Sequence, residues 1–243
     1  MRIKIHIDTR VLPLKYRMLF LSLIKEAIRQ GDEELYHELF KENLHQAKKY
    51  SYAVFLKNFK NQKDLLHVEG ATLTITSSDP HISVALINGF QQIHHFTSHN
   101  YELNITKIDL LKEQKITTSI VKFKTLNTLL LEDKEDKPLL IDNHRFEDEL
   151  NFVCNRQFES QFGRPLKNPL KILAYNMKKQ VIQESNRHAD GKTLYYTGQK
   201  GEFVLSGDPT DLQLIYQTGL ANRKSQGFGT LEVVQCYDES YCE

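Results

Sequence analysis

Tryptophan is absent from this chain, cysteine occurs only three times, and no apolar run approaches the roughly 20 residues that cross a bilayer as a helix. Cys154, Cys236 and Cys242 are odd in number, far apart and without CxxC spacing, so neither a disulfide framework nor a zinc site is expected. Net charge is also missing: 32 basic residues stand against 31 acidic ones, leaving +1. A polyanion would therefore have to be held by a local patch rather than by the protein as a whole. The opening residues, Met1-Arg2-Ile3-Lys4-Ile5-His6-Ile7-Asp8, alternate polar and apolar, unlike a signal peptide. The expectation is a globular chain in the cytoplasm, with no membrane contact. At 40% hydrophobic over 243 residues, it can bury one large core or two of ordinary size.

What is present is a stretch near the C-terminus, Gly219-Leu220-Ala221-Asn222-Arg223-Lys224-Ser225-Gln226-Gly227-Phe228-Gly229, followed by a strand-like run at residues 230–234. Glycine allows a close approach to the main chain, so such a loop can aim several N–H groups at one anion, with Arg223 and Lys224 adding charge. Asp208-Pro209 reads as the start of a helix that Gly219 ends. The order helix, loop, strand is the reverse of a nucleotide-binding loop, which places the anion at a helix start. No Gly-Lys-Ser/Thr follows four spacer residues, and Gly227-Phe228-Gly229 lacks a third glycine at dinucleotide-binding spacing. A nucleotide cofactor is disfavoured, and no cofactor is expected. A connection that merely joins helix to strand is the plainer alternative.

Residues 219–234 resemble the C-terminal glycine-rich loop of the endoribonucleases that cut CRISPR precursor RNA, the Cas-six family of the RAMP superfamily. The features that carry the resemblance are Gly219, the basic pair Arg223-Lys224, Ser225, and Gly227-Phe228-Gly229 before a strand. The opening strand at residues 1–7, the Leu12-Pro13-Leu14-Lys15-Tyr16 entry to a helix, and Asn88-Gly89-Phe90 closing a mid-chain helix agree in order. The resemblance implies an α+β chain of two tandem ferredoxin-like (RRM-like) β-α-β-β-α-β domains, here 1–113 and 114–243. It implies CRISPR repeat RNA (precursor crRNA) as partner, with other effector-complex subunits and a homodimer as further possibilities.

The pattern of the chain is compatible with that plan. Ile3, Ile5 and Ile7 alternate on one strand; helices are expected at residues 12–30, stopped by Gly31, and at 32–44. Strands are expected at 50–59 and 71–77, a helix from Asp79-Pro80 to Asn88-Gly89, and a strand at 101–111. The second half reads as strands at 115–123 and 126–131, a helix at 142–162, and strands at 171–183 and 193–206. The sequence strand, Asp-Pro, helix, glycine, strand thus occurs twice, at 71–89 and again before Gly219, a weak internal repetition.

Cutting RNA without a metal requires a proton to leave the 2′-hydroxyl, charge to be stabilised at phosphorus, and a proton to reach the departing 5′-oxygen. Histidine suits the proton steps and lysine the charge. His37, His45, Lys48 and Lys49, with Lys25 on the first helix, stand together in the N-terminal half. The resemblance implies a histidine after the first helix, with a lysine before the strand that here is Tyr50-Ser51-Tyr52-Ala53. His45 or His37 takes the first place and Lys48 the second. The place of a family tyrosine on the first helix holds Lys25. The expected RNA-binding set is Gly219, Asn222, Arg223, Lys224, Ser225, Gly227, Phe228, Gly229, Arg187 and Lys192. Plainer readings stand beside these: His37 as an exposed helix residue, His45 as a helix-end cation, and each lysine cluster as a solvated face. Lys41 spoils the zinc signature at His37-Glu38, and His94, His95 and His99 lack acidic or cysteine partners at ligand spacing, so no metal site is expected. The leading reading is a metal-independent endoribonuclease; the alternative is a non-catalytic repeat-RNA-binding subunit, and a third is an unrelated ferredoxin-like metabolic enzyme.

Overall fold

The computed structural model describes residues 1–44, 46–185 and 193–237. Ile3, Ile5 and Ile7 all turn inward from β1 (Arg2–Asp8), and β1 lies in the middle of the first sheet. A short β2 (Val11–Pro13) leads to α1 (Arg17–Gly31), whose Leu19, Phe20, Leu23, Ile24, Ala27 and Ile28 are buried. Asp32 then accepts the Leu35 N–H and starts α2 (Glu33–His37), which widens into a π-helical turn at Glu38–Glu42. The single helix expected over 32–44 is thus two short pieces. After these come β3 (Tyr50–Leu56), β4 (Lys60–Gln62), β5 (Leu65–His67), β6 (Ala71–Ser77), α3 (Pro80–Gln92), β7 (His95–Ser98) and β8 (Tyr101–Leu111).

The second half contains β9 (Ile120–Thr125), α4 (Phe146–Phe162), β10 (Lys171–Ser185), β11 (Thr193–Ser206), α5 (Pro209–Thr218), a 3₁₀ turn at Lys224–Gln226, and β12 (Leu231–Tyr237). One sheet has the order β3-β6-β1-β8-β7, the other β10-β11-β9-β12, and β2-β5-β4 form a small third sheet. Setting β7 aside, both main sheets read second, third, first, fourth strand of their half, and the strand pairings within them are antiparallel. Each half therefore follows the ferredoxin-like β-α-β-β-α-β plan. Each also has its own apolar core, with Ile3, Tyr52 and Phe90 in the first and Phe123, Phe146 and Phe203 in the second.

The two Asp-Pro starts are N-caps in fact. Asp79 accepts from the N–H groups of His81 and Ile82, and Asp208 from those of Thr210 and Asp211. Gly89, expected to stop α3, instead lies inside it. A Cβ on Gly89 would overlap the Ala27 carbonyl, and one on Gly31 the Ala85 carbonyl, so both glycines are the points at which α1 and α3 cross. The strand expected at 126–131 does not form. That segment is held by single contacts instead, Leu126 N–H to the Thr230 carbonyl and Leu129 bridged to Gln199. β9 begins at Ile120 rather than 115, and α4 at Phe146 rather than 142.

Candidate nucleic-acid interface

The loop after α5 is folded onto residues 128–130. Leu220 N–H donates to the Gly229 carbonyl at 2.8 Å, Gly229 N–H to Thr128 at 2.9 Å, and Asn222 N–H to Leu130 at 2.9 Å. These amides are engaged internally, so they are not among the several N–H groups that such a loop can aim at one anion. The glycines serve another purpose. A Cβ at Gly219 would lie 2.9 Å from the Ser51 Cβ, and Gly227 abuts the Tyr52 ring, so the loop packs directly on β3 of the other sheet. Gly229 allows the turn back past Leu220, and φ is positive at Gly219, Gly227 and Gly229 as well as at Ala221 and Arg223. Buried Asn127 closes the seam: its Nδ2 donates to the Tyr52 carbonyl at 2.8 Å, and its Oδ1 accepts the Thr230 N–H at 2.8 Å.

Arg223 and Lys224, adjacent in sequence, face opposite ways. The Arg223 guanidinium is half-exposed, 3.1 Å from a Glu132 carboxylate oxygen and 4.8 Å from the Tyr196 ring centroid. Asn222 supports it by accepting the Glu132 N–H through Oδ1 at 3.1 Å. The Lys224 side chain points inward. The residue is 5% exposed and its ammonium donates to Thr218 Oγ1 at 3.3 Å. Burial pulls its pKa down to about 8, with the nearby Cys154 acting weakly the other way. Phe228 is buried with Leu130 and Ile182, edge-on to Tyr196 at 5.6 Å, so it is a core side chain rather than a stacking platform. Ser225 is half-buried on the 3₁₀ turn.

Of the other sequence-derived residues, His45, Arg187 and Lys192 lie outside the described residues. His37 is exposed on α2, its ring edge-on to Tyr36 at 5.8 Å. Lys49 is half-buried, its ammonium 3.6 Å from an Asp79 carboxylate oxygen and 5.9 Å from the Phe162 ring centroid. Lys48 is buried. Its ammonium donates to the Asn43 carbonyl and, at 2.8 Å, to that of Gln46, while Gln161 on α4 holds the Lys48 carbonyl at 2.8 Å. Burial, and then the charge of Lys25, lower its pKa.

A groove of about 540 Å³ was not anticipated. It runs between β3 and β10, each the outermost strand of its sheet, and is lined by Arg17, Val54, Phe55, Phe59, Gln180 and Lys200 among others. Phe55 and Phe59 are exposed. Arg17 is paired with Glu184 at 3.0 Å and lies over the Phe228 ring, which ties one end of the groove to the glycine loop. The pKa of Lys200 is lowered by burial and then by the charges of Lys124 and Arg17, so cations crowd here. The alternation of phenylalanine and lysine from Phe55 to Lys60 was a signal available in the sequence. The contribution of Arg17, Gln180 and Lys200 was not, because only the fold brings them there.

The family model for the C-terminal part of the CRISPR associated protein Cas6 matches residues 111–233, just over half of the chain and the whole glycine loop. The chain belongs to the Cas6 family. Among solved structures, the product of a Cas6-related gene from Pyrococcus furiosus superimposes with a TM-score of 0.81 at 18% identity, over 97% of this chain and 98% of that one. A RAMP protein described as binding different RNA substrates gives 0.80 at 17%, over 97% and 100%. A Cas6 in complex with its product gives 0.70 at 11%, over 96% and 99%. Identities this low establish the shared fold alone. No curated protein matches the sequence. Among the described residues, no three His, Cys, Asp or Glu side chains gather as metal ligands do, and no helix is long and apolar enough to cross a membrane.

Proposed function

We propose that this chain binds CRISPR repeat RNA and cuts it within the repeat by attack of the 2′-hydroxyl, leaving a 2′,3′-cyclic phosphate and a 5′-hydroxyl. The observation that carries the reading is the groove between two sheet edges, where exposed Phe55 and Phe59 stand beside Arg17 and Lys200 and one end meets the glycine loop. Aromatic faces and desolvated cations along one path suit unpaired bases and their phosphates. Arg223, half-exposed on the loop, adds a further phosphate contact. Residues 114–243 supply the loop and one wall of the groove. Residues 1–113 supply the other wall and the proton-moving groups, an imidazole from His45 or His37, from the segment before β3. The chemistry asks nothing of a metal.

Mixing the protein with repeat RNA in excess EDTA tests this. Fragments ending in a cyclic phosphate support the enzyme, and a 2′-deoxy nucleotide before the cut should abolish them while binding persists. A gel shift without fragments retains the RNA-binding reading and removes the nuclease. Neither shift nor fragments removes both.

A further inference from the structure

The outer edge of β3 is covered over only part of its length. Along an antiparallel strand the main-chain groups of successive residues turn to opposite sides. Just outside the two ends of β3, the Lys49 carbonyl accepts the Ser78 N–H, and Lys57 bonds Gly70 through its N–H and Glu69 through its carbonyl, so these odd-numbered residues turn toward β6. The even-numbered ones turn outward. The Tyr52 carbonyl does so, and Asn127 of the second half takes it at 2.8 Å. By the same alternation Val54 and Leu56 each aim an N–H and a carbonyl away from β6, and both residues line the groove. Beyond Tyr52, no strand or loop among the described residues takes up the main chain on that side.

Free main-chain groups at a sheet edge suit two occupants, a peptide strand and the edge of an unpaired base. The rest of the groove decides between them. Phe55, which projects from the opposite face of β3 to Val54 and Leu56, is 69% exposed, and Phe59 is 58% exposed. Lys200, on the far wall, stands within reach of the charges of Arg17 and Lys124. A peptide strand makes no use of clustered positive charge, whereas a polynucleotide brings a phosphate with every base and a flat face to every ring.

We propose that β3 reads sequence with its main chain: the free N–H and carbonyl groups of Val54 and Leu56 bond the Watson–Crick edges of unpaired repeat bases. Phe55 and Phe59 supply stacking, and Lys200 a phosphate contact. The inference rests on the RNA-binding reading above. Each base carries a donor and an acceptor side by side on that edge, and in a duplex both are already in use. The groove therefore takes a single-stranded part of the repeat.

Proline supplies the test, because it removes an N–H and is tolerated in an edge strand where that N–H faces outward. Affinity and its salt dependence are measured for repeat RNA made uncleavable by a 2′-deoxy nucleotide before the cut, and for a scrambled single strand of the same composition. Val54→Pro and Leu56→Pro should each lose about 5- to 30-fold of the preference for repeat over scrambled RNA, with the salt slope unchanged. Val54→Ala and Leu56→Ala, which keep the amide, should hold that preference within about threefold. Lys200→Met should do the reverse, lowering the slope by about one with the preference intact. A second arm leaves the protein untouched: repeat RNAs carrying a single methyl on one Watson–Crick edge, moved base by base, should lose about tenfold in affinity at one or more unpaired positions. This arm decides the matter if a proline variant no longer melts cooperatively. Folded proline variants that keep the full preference, a methyl scan without effect, or equal wild-type affinity for the two RNAs overturns this proposal alone and leaves the edge to a peptide strand. A wild type that binds neither RNA overturns the RNA-binding reading and this one with it.

Discussion

Gly227 lies against the ring of Tyr52: a Cβ built on it would come 3.0 Å from two ring carbons, at a φ of 85°. The glycine belongs to the loop of the second half and the tyrosine to β3 of the first, so this contact sets how closely the halves approach. Gly227→Ala should lose about 1–3 kcal/mol of stability in urea unfolding, from positive-φ strain and overpacking together. Gly163→Ala is the control. Gly163 also has positive φ, but a Cβ there meets nothing within 4 Å, so only the backbone part should be lost. Equal losses in the two variants would show that the Tyr52 contact imposes nothing.

The inward Lys224 makes stability depend on pH in a defined direction. Its folded pKa of about 8 lies below the ordinary lysine value. Below about pH 8 both folded and unfolded chains hold the proton, and the cost of burying the charge is present in full. Between there and the ordinary lysine range the unfolded chain holds more protons, so stability rises with pH, by about 1 kcal/mol from pH 8 to 9. The Cys154 thiol, pushed up to about 11 by burial, acts in the opposite sense at the upper end of that range. The measurement is therefore the difference in unfolding free energy between wild type and Lys224→Met across this window. A flat difference would mean that the amine is solvated.

Arg223 and Lys224 should separate in their response to salt. Arg223→Ala is expected to weaken repeat-RNA binding and lower the slope of log affinity against log salt by about one, the value for a single lost phosphate contact. Lys224→Met should leave that slope unchanged. If both variants flatten it equally, the buried ammonium turns outward on binding.

The sequence revealed features whose causes are local. Asp79-Pro80 and Asp208-Pro209 could be read as helix starts because a cap is made within three residues, and the isoleucines of β1 could be read because alternation is a property of one strand. Gly89 could not be read correctly, since its reason for being glycine is Ala27 on another helix. Arg223 and Lys224 looked equivalent as neighbours, yet a left-handed Arg223 and a 3₁₀ turn send one outward and one inward. Lys48 stood in the sequence as a candidate catalytic lysine, and only the structure shows its ammonium bound by the Asn43 and Gln46 carbonyls. The groove was beyond reach because its walls come from residues separated by more than a hundred positions.

Asn127, itself buried, presents its amide to Tyr52 in one sheet and its carbonyl to Thr230 at the entry to a strand of the other. Opening one half therefore strips a buried partner from both. Although the chain carries one architectural plan twice, it should melt cooperatively, as a single thermodynamic unit rather than as two beads on a string.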